Sequence, residues 1–180
     1  MSSKTILTAA HCLERTIKIF WWYKVKLFVP AEVKVLAAAH DWPKEDYEEL
    51  AVLSIHRHPK WNWRTLAGDF AILKLRDEIK FHSGAQPICL PSLPGKLYEG
   101  AKGIATGWGL TAPPVPPQLF NLDTVIPDKL QEANLTTMSN SMCKHYMQYI
   151  RKDKLINDDM ICAKGDDQYT CFGDSGGIIH

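Results

Sequence analysis

A chain of 180 residues with 46% hydrophobic and 23% charged content can bury a substantial core and reads as one globular domain, or two small halves of one. The formal net charge is +1 with both signs scattered, so nothing electrostatic argues for a nucleic-acid or membrane partner. The opening "MSSKTILTAAHC" has no apolar h-region and no small-residue cleavage site, and the most apolar window, 17–29, is too short and too broken by Lys18, Lys24 and Lys26 to span a bilayer.

In chain order, the alternating second half of 17–29 predicts a half-buried strand over 25–29. Further runs rich in β-branched or aliphatic residues follow at 33–36, 50–55, 70–75, 103–108 and 130–135, separated by turn-like clusters, a pattern that predicts an all-β sandwich or barrel. Near the midpoint, the prolines and glycines of "PICLPSLPGKLYEG" mark a connector between two halves. The stretch "APPVPPQ", 112–118, favours extended polyproline II in an exposed loop. One helix is predicted over 139–149, opening on capping residues and setting Met142, Tyr146 and Tyr149 along one face.

Three stretches carry chemistry: "LTAAHC" with His11, "GDFAILKL" with Asp69 and "FGDSGG" with Ser175. A serine hydroxyl attacks a carbonyl only if a base takes its proton, and histidine titrates in the right range. The base must be held in one tautomer, which a carboxylate can do. Each stretch alone is weak evidence, but the three occur in the order His, Asp, Ser with extended matching contexts. Those contexts are "VKVLAAAHDW", "IHRHPKWN", "QPICLP", "ATGWG", "LQEANLTTMSNSMC", "MICA" and "CFGDSGG". Together they resemble the chymotrypsin and trypsin family of serine endopeptidases over nearly the whole chain, apart from a divergent stretch at 13–29.

The resemblance implies a fold of two antiparallel β-barrels, each incomplete, the first about 1–90 and the second about 91–180, with the active site in the cleft between them. It implies His11 as general base and then acid, Asp69 as its orienting carboxylate, and Ser175 as the nucleophile of an acyl-enzyme. The N–H groups of Gly173 and Ser175 would form the oxyanion hole. Protein or peptide substrates, a secreted location and no cofactor follow from the same likeness. Aligned with the family, Cys143 pairs with Cys162, Cys12 needs a partner upstream, Cys171 one downstream, and Cys89 stands where multidomain relatives bond to a preceding chain.

The departures from the family pattern carry expectations of their own. The family's freed amino terminus, which pairs with the aspartate matching Asp174, has no counterpart, and only five residues follow Ser175. Truncation at both ends and an inactive, zymogen-like state are therefore expected, with Asp174 turned elsewhere. The competing reading is a non-catalytic homologue that uses the barrels as a protein-binding module. Tyr169, six positions before Ser175, matches the base of the family's specificity pocket, where relatives that cleave after lysine or arginine place an aspartate; it either shortens that pocket in favour of small or apolar side chains or blocks it, unless a shifted loop brings Asp166 or Asp167 in.

Among other residues, His56 and His58 share a spacing that metal ligands sometimes have, but no third ligand is indicated and no metal is assigned. Asp41, Glu45, Asp46, Glu48 and Glu49 form an acidic loop read as a solvated face ahead of a calcium site. Asn134 opens an N-glycosylation sequon, meaningful only in the secretory pathway, and Trp61 and Trp63 beside the aspartate loop are read as packing residues ahead of a substrate-lining surface.

Overall fold

Alternation of side chains decides the architecture of the amino-terminal part. In β6 (Ala71–Leu75), Ala71, Leu73 and Leu75 are buried while Lys74 is exposed, the period-two signature of a strand with one face on a core. This strand lies inside a four-stranded antiparallel sheet of order β1-β6-β5-β4, with β1 Thr5–Thr8, β4 Lys34–Ala37 and β5 Glu48–Arg57. Leu50 and Val52 of β5, Ala37 of β4, and Ala10 and Leu13 just after β1 complete the apolar cluster. The ladder between β5 and β6 steps from Val52↔Leu75 to Ser54↔Lys74, leaving Leu53 as the extra residue of a bulge that bends the sheet. Strands β2 (Glu14–Ile19) and β3 (Trp22–Leu27) form a two-stranded sheet, pairing only with each other among the described residues.

The computed structural model describes residues 2–19, 22–42, 44, 47–91, 98–111 and 126–180, with nothing stated of the side chains at 17–19, 22 and 23. The polyproline reading at 112–118, the central part of the midpoint connector, and Glu45 and Asp46 of the acidic loop lie outside the described residues. The chain divides into two units, one of Met1–Trp63 and Gly68–Ser92, the other of Arg64–Ala67 and Leu93–His180.

In the second unit, β7 (Lys102–Gly107), β8 (Gln131–Met138) and β9 (Cys162–Lys164) form an antiparallel sheet in that order. Helix α1 (Asn140–Gln148) follows β8 directly, and the Ser139 hydroxyl caps it by accepting from the Met142 N–H. The Cys143–Cys162 disulfide ties α1 to the start of β9. Beyond Ser175, the N–H of Ile104 donates to the His180 carbonyl at 2.8 Å and the N–H of His180 returns the bond at 3.0 Å, so the segment after the serine loop lies along the edge of β7. Among the described residues, no helix is long and apolar enough to cross a membrane.

One expectation is corrected and others are completed. The strand expected at 25–29 is the end of β3, paired with β2, and is not half-buried on one face: Leu27 and Val29 are 51% and 54% exposed, because a two-stranded ribbon offers no second layer for that face. Strands β1, β2 and β9 were not anticipated; β1 and β9 are only 4 and 3 residues long and carry no clear alternation. The face of α1 bearing Met142, Tyr146 and Tyr149 is exposed, Tyr149 by 78%, and the buried position of the helix is the disulfide-bonded Cys143.

Candidate active site

His11 and Asp69 lie 58 residues apart in sequence and are joined by strand register. Thr8, the last residue of β1, pairs with Ala71, the first residue of β6. His11 follows Thr8 by three positions and Asp69 precedes Ala71 by two, so antiparallel pairing delivers both to the same end of the sheet. His11 opens a 3-10 turn (His11–Leu13) pinned by the buried Ala10 and Leu13, whose backbones share a 3.0 Å hydrogen bond.

Asp69 holds His11 at two points. Its Oδ1 accepts from the His11 main-chain N–H at 2.9 Å and its Oδ2 meets the ring Nδ1 at 2.6 Å. A carboxylate oxygen can only accept, so Nδ1 carries a proton, and in the neutral ring Nε2 is left with its lone pair. The 2.6 Å contact is slightly shorter than the usual range of about 2.7–2.9 Å for a charge-assisted N–H···O bond. The neighbouring Cys12 Sγ is 3.7 Å from Nε2. Burial first, and then the negative charge of Asp69, push the Cys12 thiol above its ordinary range.

Ser175 belongs to the second unit, on a loop zipped to the segment that follows β7. The Leu110 N–H donates to the Phe172 carbonyl at 2.9 Å, and the Gly109 N–H donates to Asp174 Oδ1 at 2.8 Å. Asp174 Oδ2 accepts from the Cys171 N–H, also at 2.8 Å, so both carboxylate oxygens are engaged inside this unit. Two glycines make that approach sterically feasible. Side chains at Gly107 or Gly109 would collide with the Asp174 carboxylate. Gly173 has φ of 103°, in the region that favours glycine, and an added Cβ would stand 2.9 Å from the Gly109 Cα.

The remaining candidates fall as follows. Tyr169 is half-exposed and its hydroxyl donates to the Thr111 carbonyl at 3.2 Å. It lines a pocket of about 160 Å³ in the second unit together with Gly107, Gly109, Thr170 and Asp174. Cys12, Cys89 and Cys171 carry no disulfide, and Cys89 is exposed. His56 Nε2 is hydrogen-bonded to the Ser54 hydroxyl at 2.9 Å, whereas His58 lies past the end of β5 with its ring 4.3 Å from that of Phe70. No group of three or more His, Cys, Asp or Glu that could hold a metal occurs among the described residues. In the acidic loop, Asp41 pairs with Lys44. Asn134, on β8, is exposed, and the Gln168 side chain accepts from its main-chain N–H at 2.5 Å. The Trp61 indole N–H donates to Glu14 at 3.1 Å beside the core, so Trp61 packs there, whereas Trp63 is exposed and does not fit the packing reading.

Sequence reasoning missed the partners of Asp174. The paired glycines of "GWG" were the available signal, because glycines two apart next to a functional loop often mark close backbone approach.

Comparison with known proteins places this geometry. The chain covers 68% of the length of a solved scabies mite inactivated protease paralogue, S-D1, which matches all of this chain at a TM-score of 0.79 and 21% identity. A structure described as GrC, granzyme C, matches 97% of the chain at a TM-score of 0.72 and 23% identity, with 66% of its own length covered. At these identities the two structures establish a shared fold, that of the trypsin-like serine proteases. The profile of the family described as Trypsin matches residues 1–179, and on that match the chain belongs to the trypsin family.

Proposed function

We propose that the chain is a serine endopeptidase domain that cleaves peptide bonds of protein substrates through His11, Asp69 and Ser175. The observation that carries this reading is the two-point grip of Asp69 on His11, which leaves Nε2 as the proton acceptor. In the proposed reaction the Ser175 Oγ attacks the carbonyl carbon while Nε2 takes its proton. The N–H groups of Gly173 and Ser175 receive the developing oxyanion. His11 then returns the proton to the departing amine, leaving an ester on Ser175 that water cleaves by the same steps in reverse order.

Asp174, satisfied by Gly109 and Cys171, supports a resting, zymogen-like state of the loop. A Tyr169 phenol in place of an acidic group argues against cleavage after lysine or arginine, since the phenol carries no charge to neutralise the cation and the Asp174 carboxylate in the same pocket is engaged by the Gly109 and Cys171 N–H groups. Secretion fits the Cys143–Cys162 bridge, which persists in oxidising compartments, and exposed Cys89 offers a thiol for a bond to a preceding chain.

A second reading, a non-catalytic homologue acting as a protein-binding module, draws on the same engagement of Asp174 and on the scabies mite neighbour, which is named as inactivated. Hydrolysis of a mixed peptide library separates the two. The proteolytic reading predicts cleavage that disappears in both Ser175→Ala and His11→Ala, whereas tight binding of a protein partner without cleavage, unchanged in those variants, favours the second.

A further inference from the structure

The carboxylate of Asp69 can hold His11 at two points only if its own main chain is fixed. The chain reaches Asp69 through Gly68, at φ of 65°, and leaves through Phe70 into β6. The Phe70 N–H donates to the Gly68 carbonyl at 2.8 Å, a three-residue turn with Asp69 at its apex. Such a turn is a weak local structure, with one bond to define the direction of the apex side chain. Something outside it must hold the two flanking residues.

His58 touches both. Its main-chain N–H donates to the Phe70 carbonyl at 3.0 Å, and its own carbonyl accepts from the Trp61 N–H at 3.0 Å, which anchors His58 in turn. Its ring lies against that of Phe70 at 4.3 Å between centroids, tilted by 33°. On the other side, the ring edge fills the place where a side chain on Gly68 would be: an added Cβ would stand 2.5 Å from His58 Nδ1. That nitrogen is buried and takes no hydrogen bond. The flat edge of the ring thus faces the glycine at close range, in space that any Cβ there would take.

We infer that His58 is a positioning residue for Asp69: its ring and main chain grip Gly68 and Phe70 and so fix the carboxylate that orients His11. The functional consequence rests on the proteolytic reading above, but the positioning itself does not. In that role, His58 never meets substrate and acts only through Asp69 and His11. A displacement of about 1 Å at the carboxylate is enough to cost on the order of 100-fold in rate, so a small prop has a large lever.

The test compares His58→Leu, which keeps apolar volume but loses the flat ring, with His58→Phe, which keeps the ring. The readout independent of hydrolysis is the proton NMR resonance of His11 Nδ1–H, which reports its bond to Asp69. His58→Leu is expected to shift or broaden that resonance and to lower kcat by about 10- to 100-fold with KM unchanged. His58→Phe is expected to restore the resonance and most of the rate. Amide exchange in the unsubstituted protein adds a measurement that needs no variant: the His58 and Phe70 N–H groups should be as protected as those of β6. An unmoved resonance in folded His58→Leu, equal loss in the Leu and Phe variants, or fast exchange at His58 and Phe70 would each overturn the inference. If the chain cleaves nothing yet the resonance responds as expected, the proteolytic reading fails and the positioning stands.

Discussion

Replacing Asp69 by asparagine tests the grip on His11 with almost no change in shape. The carboxylate satisfies two donors at once, the His11 main-chain N–H at 2.9 Å and the ring Nδ1–H at 2.6 Å. An amide has one oxygen for those two donors. If the oxygen stays on the main chain, the NH2 group faces Nδ1, which must give up its proton; Nε2 then carries it and cannot take one from Ser175. Loss of the correct tautomer is expected to slow catalysis by on the order of 10⁴, about 5.4 kcal/mol of barrier. The stability loss is smaller, because the His11 and Asp69 side chains are 42% and 25% exposed and water compensates part of the broken bond. About 1–2 kcal/mol is expected, a fall in Tm of about 2–8 °C. Phosphonate labelling rates, differential scanning calorimetry and the nitrogen NMR shifts of His11 measure the three quantities. A variant labelled within tenfold of the parent rate, or one whose His11 keeps its proton on Nδ1, would refute the reasoning.

Three further predictions bear on other parts of the molecule. Gly173→Ala combines an unfavourable φ of 103° with a Cβ 2.9 Å from Gly109, so a loss of about 1–3 kcal/mol in thermal unfolding and loss of labelling at Ser175 are expected. Leu73→Ala empties a 4%-exposed position at the middle of the first unit's core and should cost about 2–5 kcal/mol by urea titration, with the second unit's disulfide intact. For Cys12, whose folded pKa is raised, the thiol's contribution to stability is whole below the unfolded pKa and is lost as pH rises through the folded value; its alkylation midpoint should therefore lie above that of the denatured chain. Asp69→Asn should lower that midpoint by removing one of the two causes, leaving burial as the other.

The motifs around His11, Asp69 and Ser175 were legible because each sits in a long matching context, and the strands at 50–55 and 70–75 because their apolar residues alternate. What joins His11 to Asp69 was not legible: it depends on the register Thr8↔Ala71, a long-range pairing with no local signal in the four residues of β1. The pairing of β2 with β3 was hidden by the uniform mix of lysine with bulky apolar residues, in which only the second half of 17–29 shows alternation. The helix at 139–149 was legible from its cap and spacing, but that spacing says nothing about whether another element covers the face of Met142, Tyr146 and Tyr149, which is exposed. His58 stands in the quoted stretch "IHRHPKWN", yet its contact with Gly68 requires the turn between them to close, which spacing alone does not reveal.

The central claim is that Ser175 is a nucleophile served by His11. Its most direct test is to treat the native protein with a serine-directed phosphonate and map the adduct by peptide mass spectrometry. A single adduct on Ser175, absent from Ser175→Ala and from His11→Ala, is the predicted result. No adduct on the native protein, or one that persists when Ser175 is replaced, would contradict the claim and leave the binding module as the better account.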